Sequence, residues 1–209
     1  GDLLEISRYD AGAAVLDLET VDLAGLVRRA TESARPLAER RGSAIDVTAL
    51  LDPCPVECDP RRVDRILRNL IDNAVEHGEG HPIDVTVGGD GEAVAVTVRD
   101  HGVGLSDDDI AHVFDRFWRA DPARARTTGG TGLGLSIALE DTRLHAGWLE
   151  AWGSPGEGAC FRVTLPCRAD VTLERSPLPL VPADAVDEDP VEPDPAEEIP
   201  ASDAAEART

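Results

Sequence analysis

Residues 59–100 constrain the fold more than any other part of the chain. Asp59-Pro60 is a helix start: an Asp side chain accepts from the first unpaired amides, and proline needs no N–H at the first helical position. Val63, Ile66, Leu67, Leu70, Ile71 and Ala74 then recur at helical steps as far as His77, and Gly78 stops the run. Directly after it, Ile83, Val85 and Val87 alternate with polar residues and answer Val94, Val96 and Val98 across Gly88-Gly89-Asp90-Gly91. That is a β-hairpin with one buried face. An amphipathic helix running into such a hairpin predicts helices layered on a sheet.

The flanking segments extend this pattern. Residues 1–9 carry Leu3, Leu4 and Ile6 and read as the last turns of a longer helix; residues 10–20 read as a connector. Asp22 caps a predicted helix over 23–41, with Pro36 inside it and Gly42 at its end. Residues 44–51 read as a strand, whereas Pro53 and Pro55 argue against a central strand over 52–59. A short helix is expected over 107–118, a mobile loop over 119–131, a helix after Gly132, and two strands near 148–152 and 159–165. From 169 onward Pro, Asp, Glu and Ala dominate, which predicts a disordered acidic tail. The expected organisation is a helix end and linker at 1–12, one α/β domain at 13–168, and the tail at 169–209.

A net charge of −21 disfavours nucleic acid as a partner, because phosphates would be repelled. No run approaches the ~18 apolar residues of a membrane span. Cys54, Cys58, Cys160 and Cys167 lack zinc-ligand spacing and read as small, half-buried residues of a reducing compartment.

Three features carry candidate chemistry. On the helix ending at His77, Arg65, Asn69, Asn73 and His77 recur every four residues beside the apolar face. Asparagine is a poor choice for a plain helix surface, so the stripe is either solvated or faces a ligand. The second hairpin strand ends in Asp100-His101-Gly102-Val103-Gly104, either a turn or a place where a ligand meets bare backbone. Gly129-Gly130-Thr131-Gly132-Leu133-Gly134-Leu135-Ser136 opens a helix and offers amides to an anion. No Lys-Ser/Thr follows its last glycine, so it is not a Walker-type loop.

Taken together, these motifs resemble the catalytic ATP-binding domain of sensor histidine kinases, in the GHKL (Bergerat) ATPase superfamily. The resemblance rests on Arg68-Asn69-Leu70-Ile71-Asp72-Asn73-Ala74 (N box), Asp100-His101-Gly102-Val103-Gly104 (G1 box), Phe114-Asp115-Arg116-Phe117-Trp118-Arg119 (F box) and Gly130-Thr131-Gly132-Leu133-Gly134-Leu135 (G2 box). Leu144-His145-Ala146-Gly147 is similar to the L-H-G-G run of the family. Residues 3–12, 150–153 and 156–162 are most similar to the MtrB-type kinases of actinobacteria.

The resemblance implies a two-layer α/β sandwich, with a mixed sheet of about five strands faced by three helices. It implies Mg²⁺ on Asn73, with Asn69 helping to hold metal and phosphates. Asp100 would receive the adenine amino group, beside Gly102 and Gly104. Gly130, Thr131, Gly132, Leu133 and Gly134 would meet the phosphates at the end of an ATP lid, and Arg119 would approach the γ-phosphate. Arg124 and Arg126 are either lid residues or solvated charge. The implied partners are the dimerisation and phosphoacceptor domain of the same kinase, in a homodimer, and an MtrA-type response regulator. The implied location is a cytoplasmic domain of a plasma-membrane parent.

The sequence departs from the family in two places. None of His77, His81, His101, His112 and His145 fits a phosphoacceptor box, so the chain is expected to bind ATP without phosphorylating itself. Glu76-His77 stands where many members carry a Lys-Tyr-type pair. Three other readings compete: a clamp-type GHKL ATPase, a Ser/Thr kinase of the anti-sigma type, and a nucleotide-binding module without catalysis. The clamp ATPases carry a Glu general base where this chain has Asn69, and an amide cannot activate water in that way.

Overall fold

In the computed structural model, residues 15–119 and 131–185 are described. They form seven strands, four α-helices and a terminal 3-10 turn. The order is β1 (Glu19–Asp22), α1 (Leu23–Arg41), β2 (Ile45–Ala49), β3 (Pro55–Cys58), α2 (Pro60–His77), β4 (Ile83–Gly89) and β5 (Ala93–Asp100). Then come α3 (Asp107–His112), α4 (Gly134–Leu144), β6 (Trp148–Ser154), β7 (Gly158–Pro166) and the turn Ala183–Ala185.

Five strands make one mixed sheet in the order β2-β4-β5-β7-β6. The β2–β4 pair is parallel and the other three pairs are antiparallel. Helices α1, α2 and α4 pack on one face, as the two-layer reading expects. Val85, Val87, Val94, Val96, Val98, Phe161 and Val163 meet Leu26, Val27, Leu67, Leu70, Ile71 and Ala138 in a single core. Both long helices begin as the sequence predicts: Asp22 accepts from Ala24 and Gly25, and Asp59 from Arg61 and Arg62. Pro36 lies within the continuous α1.

Three sequence expectations need adjustment. Residues 19–22, where the sequence predicts a connector as far as 20 and a helix cap at Asp22, pair with Pro55–Cys58 in a separate two-stranded ladder. Pro53 and Pro55 do keep this segment out of the main sheet, as their missing N–H groups require. The helix at 107 stops at His112 rather than running to 118, because Phe117 turns to φ 65° and donates its N–H to Gly132 O at 2.9 Å.

The largest difference concerns residues 169–185, expected to be disordered. This segment lies along the face of the sheet opposite the helices. Arg175 pairs with Asp90 at 3.2 Å, and Ser176 accepts from Thr164 at 2.9 Å. Leu178 is buried, and its carbonyl accepts from Arg162 Nη1 at 2.5 Å. Composition misleads here because one well-placed leucine supplies the anchor, and an averaged count of Pro, Asp and Glu conceals it. Residues 1–14, 120–130 and 186–209 lie outside the described residues, and with them the expected helix end, most of the loop and the rest of the tail.

Candidate active site

Helix α2 is the spine of the site. Its apolar face is sunk in the core, which fixes the rotation of the helix and turns the stripe of Arg65, Asn69, Asn73 and His77 sideways. All four are half-buried. Asn69 and Asn73 have no side-chain hydrogen bond among the described residues.

The other boxes dock along this stripe at separate heights. At Asn69, the N-terminus of α4 comes so close that a Cβ at Gly134 would lie 3.2 Å from Asn69 Oδ1. Leu133 provides no side-chain cap, so among the described residues no side chain caps the first turn of α4. One turn past Asn73, Glu76 takes the Arg119 guanidinium at 3.3 Å. At the end of the helix, Gly102 abuts the backbone: a Cβ there would stand 1.9 Å from His77 O. Gly104 has φ 75° and is as tightly placed against Ser154 O. These two glycines are therefore demanded by backbone packing between β5, α2 and the β6–β7 turn.

Asp100 sits beside Gly78 at this end of α2 and is buried. Its Oδ1 accepts from Gly102 N at 3.0 Å, while Oδ2 is buried with no hydrogen-bond partner among the described residues. Leaving such an atom unpaired costs about 1–3 kcal/mol, so its presence marks a place for an external donor. Burial pushes the Asp100 carboxyl above the usual range, and the amides of Gly102 and Ala159 work against that. From Asn69 to Gly78 the helix rises about 13 Å. The C-terminal half of α2 thus runs from the N-terminus of α4, at the middle of the helix, to a buried acceptor at its end.

A buried polar network braces α2 against α4. Asp141 is fully buried and takes a two-pronged contact from Arg65 at 2.7 and 2.8 Å, with Arg62 at 2.8 Å. His145 completes the brace: its Nε2 accepts from Asp59 N at 3.0 Å and its Nδ1 donates to Asp141 O at 2.7 Å. That arrangement requires the neutral ring, and burial holds the His145 pKa below its ordinary value. Arg65, one of the four residues of the polar stripe, is thus committed to Asp141.

The predicted site residues divide accordingly. Asn69, Asn73, Asp100, Gly102, Gly134 and Arg119 line the C-terminal half of α2, whereas Gly104 packs on Ser154 and Gly132 lies against Phe117 and Trp118. Leu133 is buried and packs with Ile137, Thr131 is exposed, and Gly130 lies outside the described residues. Among the described residues no cluster of three His, Cys, Asp or Glu side chains could hold a metal, and no helix could cross a membrane. The amide oxygens of Asn69 and Asn73 are of the donor type that suits Mg²⁺, a hard ion that keeps its waters. Sequence reasoning missed the Asp141–His145 brace. Its signal was an Asp one turn after Ile137 and Ala138, on the buried side of α4.

Residues 58–169 match the model of the histidine kinase-, DNA gyrase B-, and HSP90-like ATPases. This chain belongs to that family. It is 54% identical over 181 residues to the sensor histidine kinase MtrB of Mycobacterium tuberculosis, and 53% identical to that of Mycobacterium leprae. Each match covers 87% of this chain and 32% of the relative, so the chain spans about a third of the length of the curated relatives it matches. Coverage of that extent runs past Leu178 wherever it begins. Among solved structures, full-length ShkA in complex with AMPPNP superposes with a TM-score of 0.70 at 31% identity, covering 82% of this chain and 35% of ShkA. The chain is thus an ATP-binding domain homologous to the catalytic part of sensor histidine kinases.

Proposed function

We propose that this chain transfers the γ-phosphoryl group of ATP to a histidine on a separate dimerisation domain, for relay to an aspartate of a response regulator. The observation that carries the reading is the buried Oδ2 of Asp100, unpaired among the described residues at the C-terminal end of α2, with Asn69 in the middle of that helix facing the N-terminus of α4. Asp100 accepts the adenine amino group. Gly102 and Gly104 hold the backbone there. The first turn of α4, with Gly130, Thr131, Gly132, Leu133 and Gly134, donates to the phosphates. Arg119, steered by Glu76, places its positive charge against the negative charge on the oxygens of the transferred group. Asn73, helped by Asn69, would hold Mg²⁺, which supplies charge neutralisation at the phosphates. In the transfer a nitrogen–phosphorus bond to the acceptor imidazole forms as the bond from the γ-phosphorus to the bridging oxygen breaks, and ADP leaves.

Transfer is favoured over hydrolysis because Asn69 offers no base to activate water. By the same reading, residues 1–12 are the end of a dimerisation helix and its linker, the parent is a homodimer in the plasma membrane with this domain on its cytoplasmic side, and the regulator is of the MtrA type. The test mixes the chain with its parent's dimerisation domain and labelled ATP. Acid-labile phosphohistidine is expected, and Asn73→Ala should abolish its Mg²⁺-dependent formation. Undiminished transfer by that variant would remove Asn73 from the metal site. Intact ATP binding with no phosphohistidine from the parent sequence would leave a binding module instead.

A further inference from the structure

Part of the second face of the sheet, over β5 and β7, is covered without a helix. On β5 and β7 the core residues Val94, Val96, Val98, Phe161 and Val163 point to the helices. Their alternating neighbours Ala95, Arg99, Cys160 and Thr164 point away, yet none is more than 6% exposed. Residues 171–185 supply the cover. They begin at the β4–β5 turn, where Arg175 meets Asp90, and cross β7 where Ser176 meets Thr164. Leu178 then fills the space left by Gly88: a Cβ there would lie 3.1 Å from Leu178 Cδ2. The segment ends at the opposite end of β5, where Asp184 lies 3.4 Å from Arg99 Nη2 and 4.0 Å from His101 Nδ1.

Arg99 connects this segment to the site. It precedes Asp100 in β5, and its side chain points to the other face. Its Nη1 donates to the Asp100 carbonyl at 2.9 Å, and its guanidinium lies 5.0 Å over the Trp152 ring. A buried arginine with this many partners cannot shift without moving the peptide of Asp100.

We propose that residues 171–185 are a strap integral to the catalytic domain, and that Arg99, held by Asp184 and Trp152, is a positioning residue that fixes the Asp100 carboxylate for its ligand. The strap closes the second face through Leu178 and acts on the site through Asp184 and Arg99. The part concerning ligand affinity rests on the reading of Asp100 as the adenine acceptor.

The experiment uses the full chain with Leu178→Asp, which undocks the strap, and Asp184→Ala, a change at an exposed side chain. Affinity is measured for ATP and for purine riboside triphosphate, which lacks the 6-amino group. ATP affinity should fall about fivefold with Leu178→Asp and about twofold with Asp184→Ala, as a charge-assisted contact at a distance allows, while the analogue changes less. Asp184→Glu should restore the ATP preference. A merely structural strap would weaken both nucleotides equally, and that result overturns the positioning role. Hydrogen exchange at the amides of Asp100 and Gly102 serves as the second readout. Faster exchange in both variants is expected, and unchanged exchange overturns the strap whatever the nucleotide data show. If Asp100→Asn in the intact chain leaves the preference for ATP untouched, the adenine reading fails, and exchange alone then decides the strap.

Discussion

The two faces of the sheet are covered in different ways. On one, three helices bury a stripe each, and most of the apolar residues are set by helical or strand periodicity. On the other, an irregular segment is pinned by Leu178, Ser176, Arg175 and Asp184, four side chains with no periodic relation. The first face is cooperative, since each helix packs on its neighbours as well as on the sheet. The second is a series of separate contacts. Stability therefore resides mainly in the helix layer, while the strap can loosen without unfolding the domain.

Substitutions that compare the two faces should rank accordingly. Asp141→Ala leaves Arg62 and Arg65 without their buried carboxylate, and should cost about 3–5 kcal/mol in denaturant unfolding. Leu70→Ala opens a cavity between α2 and the sheet, and should cost about 3 kcal/mol. On the strap face, Leu178→Ala should cost less, about 1–2 kcal/mol, since the segment around it can settle onto Gly88. Equal losses for Leu70→Ala and Leu178→Ala would show that the strap is as cooperative as the helices.

The smallest effect is a pH dependence on the helix side. His145 is neutral in the fold with its pKa held below 6.5, chiefly by burial. Between its folded value and 6.5 the unfolded chain binds more protons, so stability should rise with pH through that window and level off above it. His145→Gln should flatten this part of the profile in thermal unfolding. Asp100 has the opposite sign at lower pH: burial raises its pKa from 3.8, so its contribution declines as pH climbs through the raised value. Asp100→Asn should remove that decline.

Much of this was legible in the sequence, for identifiable reasons. Helix α2 and the β4–β5 hairpin declare themselves because each buries one face, so hydrophobicity alternates at the period of the element. Asn69, Asn73, Asp100 and Gly134 stand out because polar and glycine residues at those places disagree with simple packing. The ladder of Glu19–Asp22 with Pro55–Cys58 was hidden by its length and its prolines. The strap was hidden by its composition, yet β5 held a signal: Ala93-Val94-Ala95-Val96 is apolar on both sides, the pattern of a strand covered twice. The Arg119–Glu76 pair could not be read, because it joins residues 43 apart through the turn at Phe117.

The central claim is that Asp100 is the acceptor for the adenine amino group at the end of the α2 spine. Calorimetric titration of ATP into the parent chain and into Asp100→Asn tests it most directly. The expected result is a loss of ATP affinity of tenfold or more, roughly the worth of one charge-assisted hydrogen bond, with the fold retained. Equal affinity in the two proteins would contradict the claim.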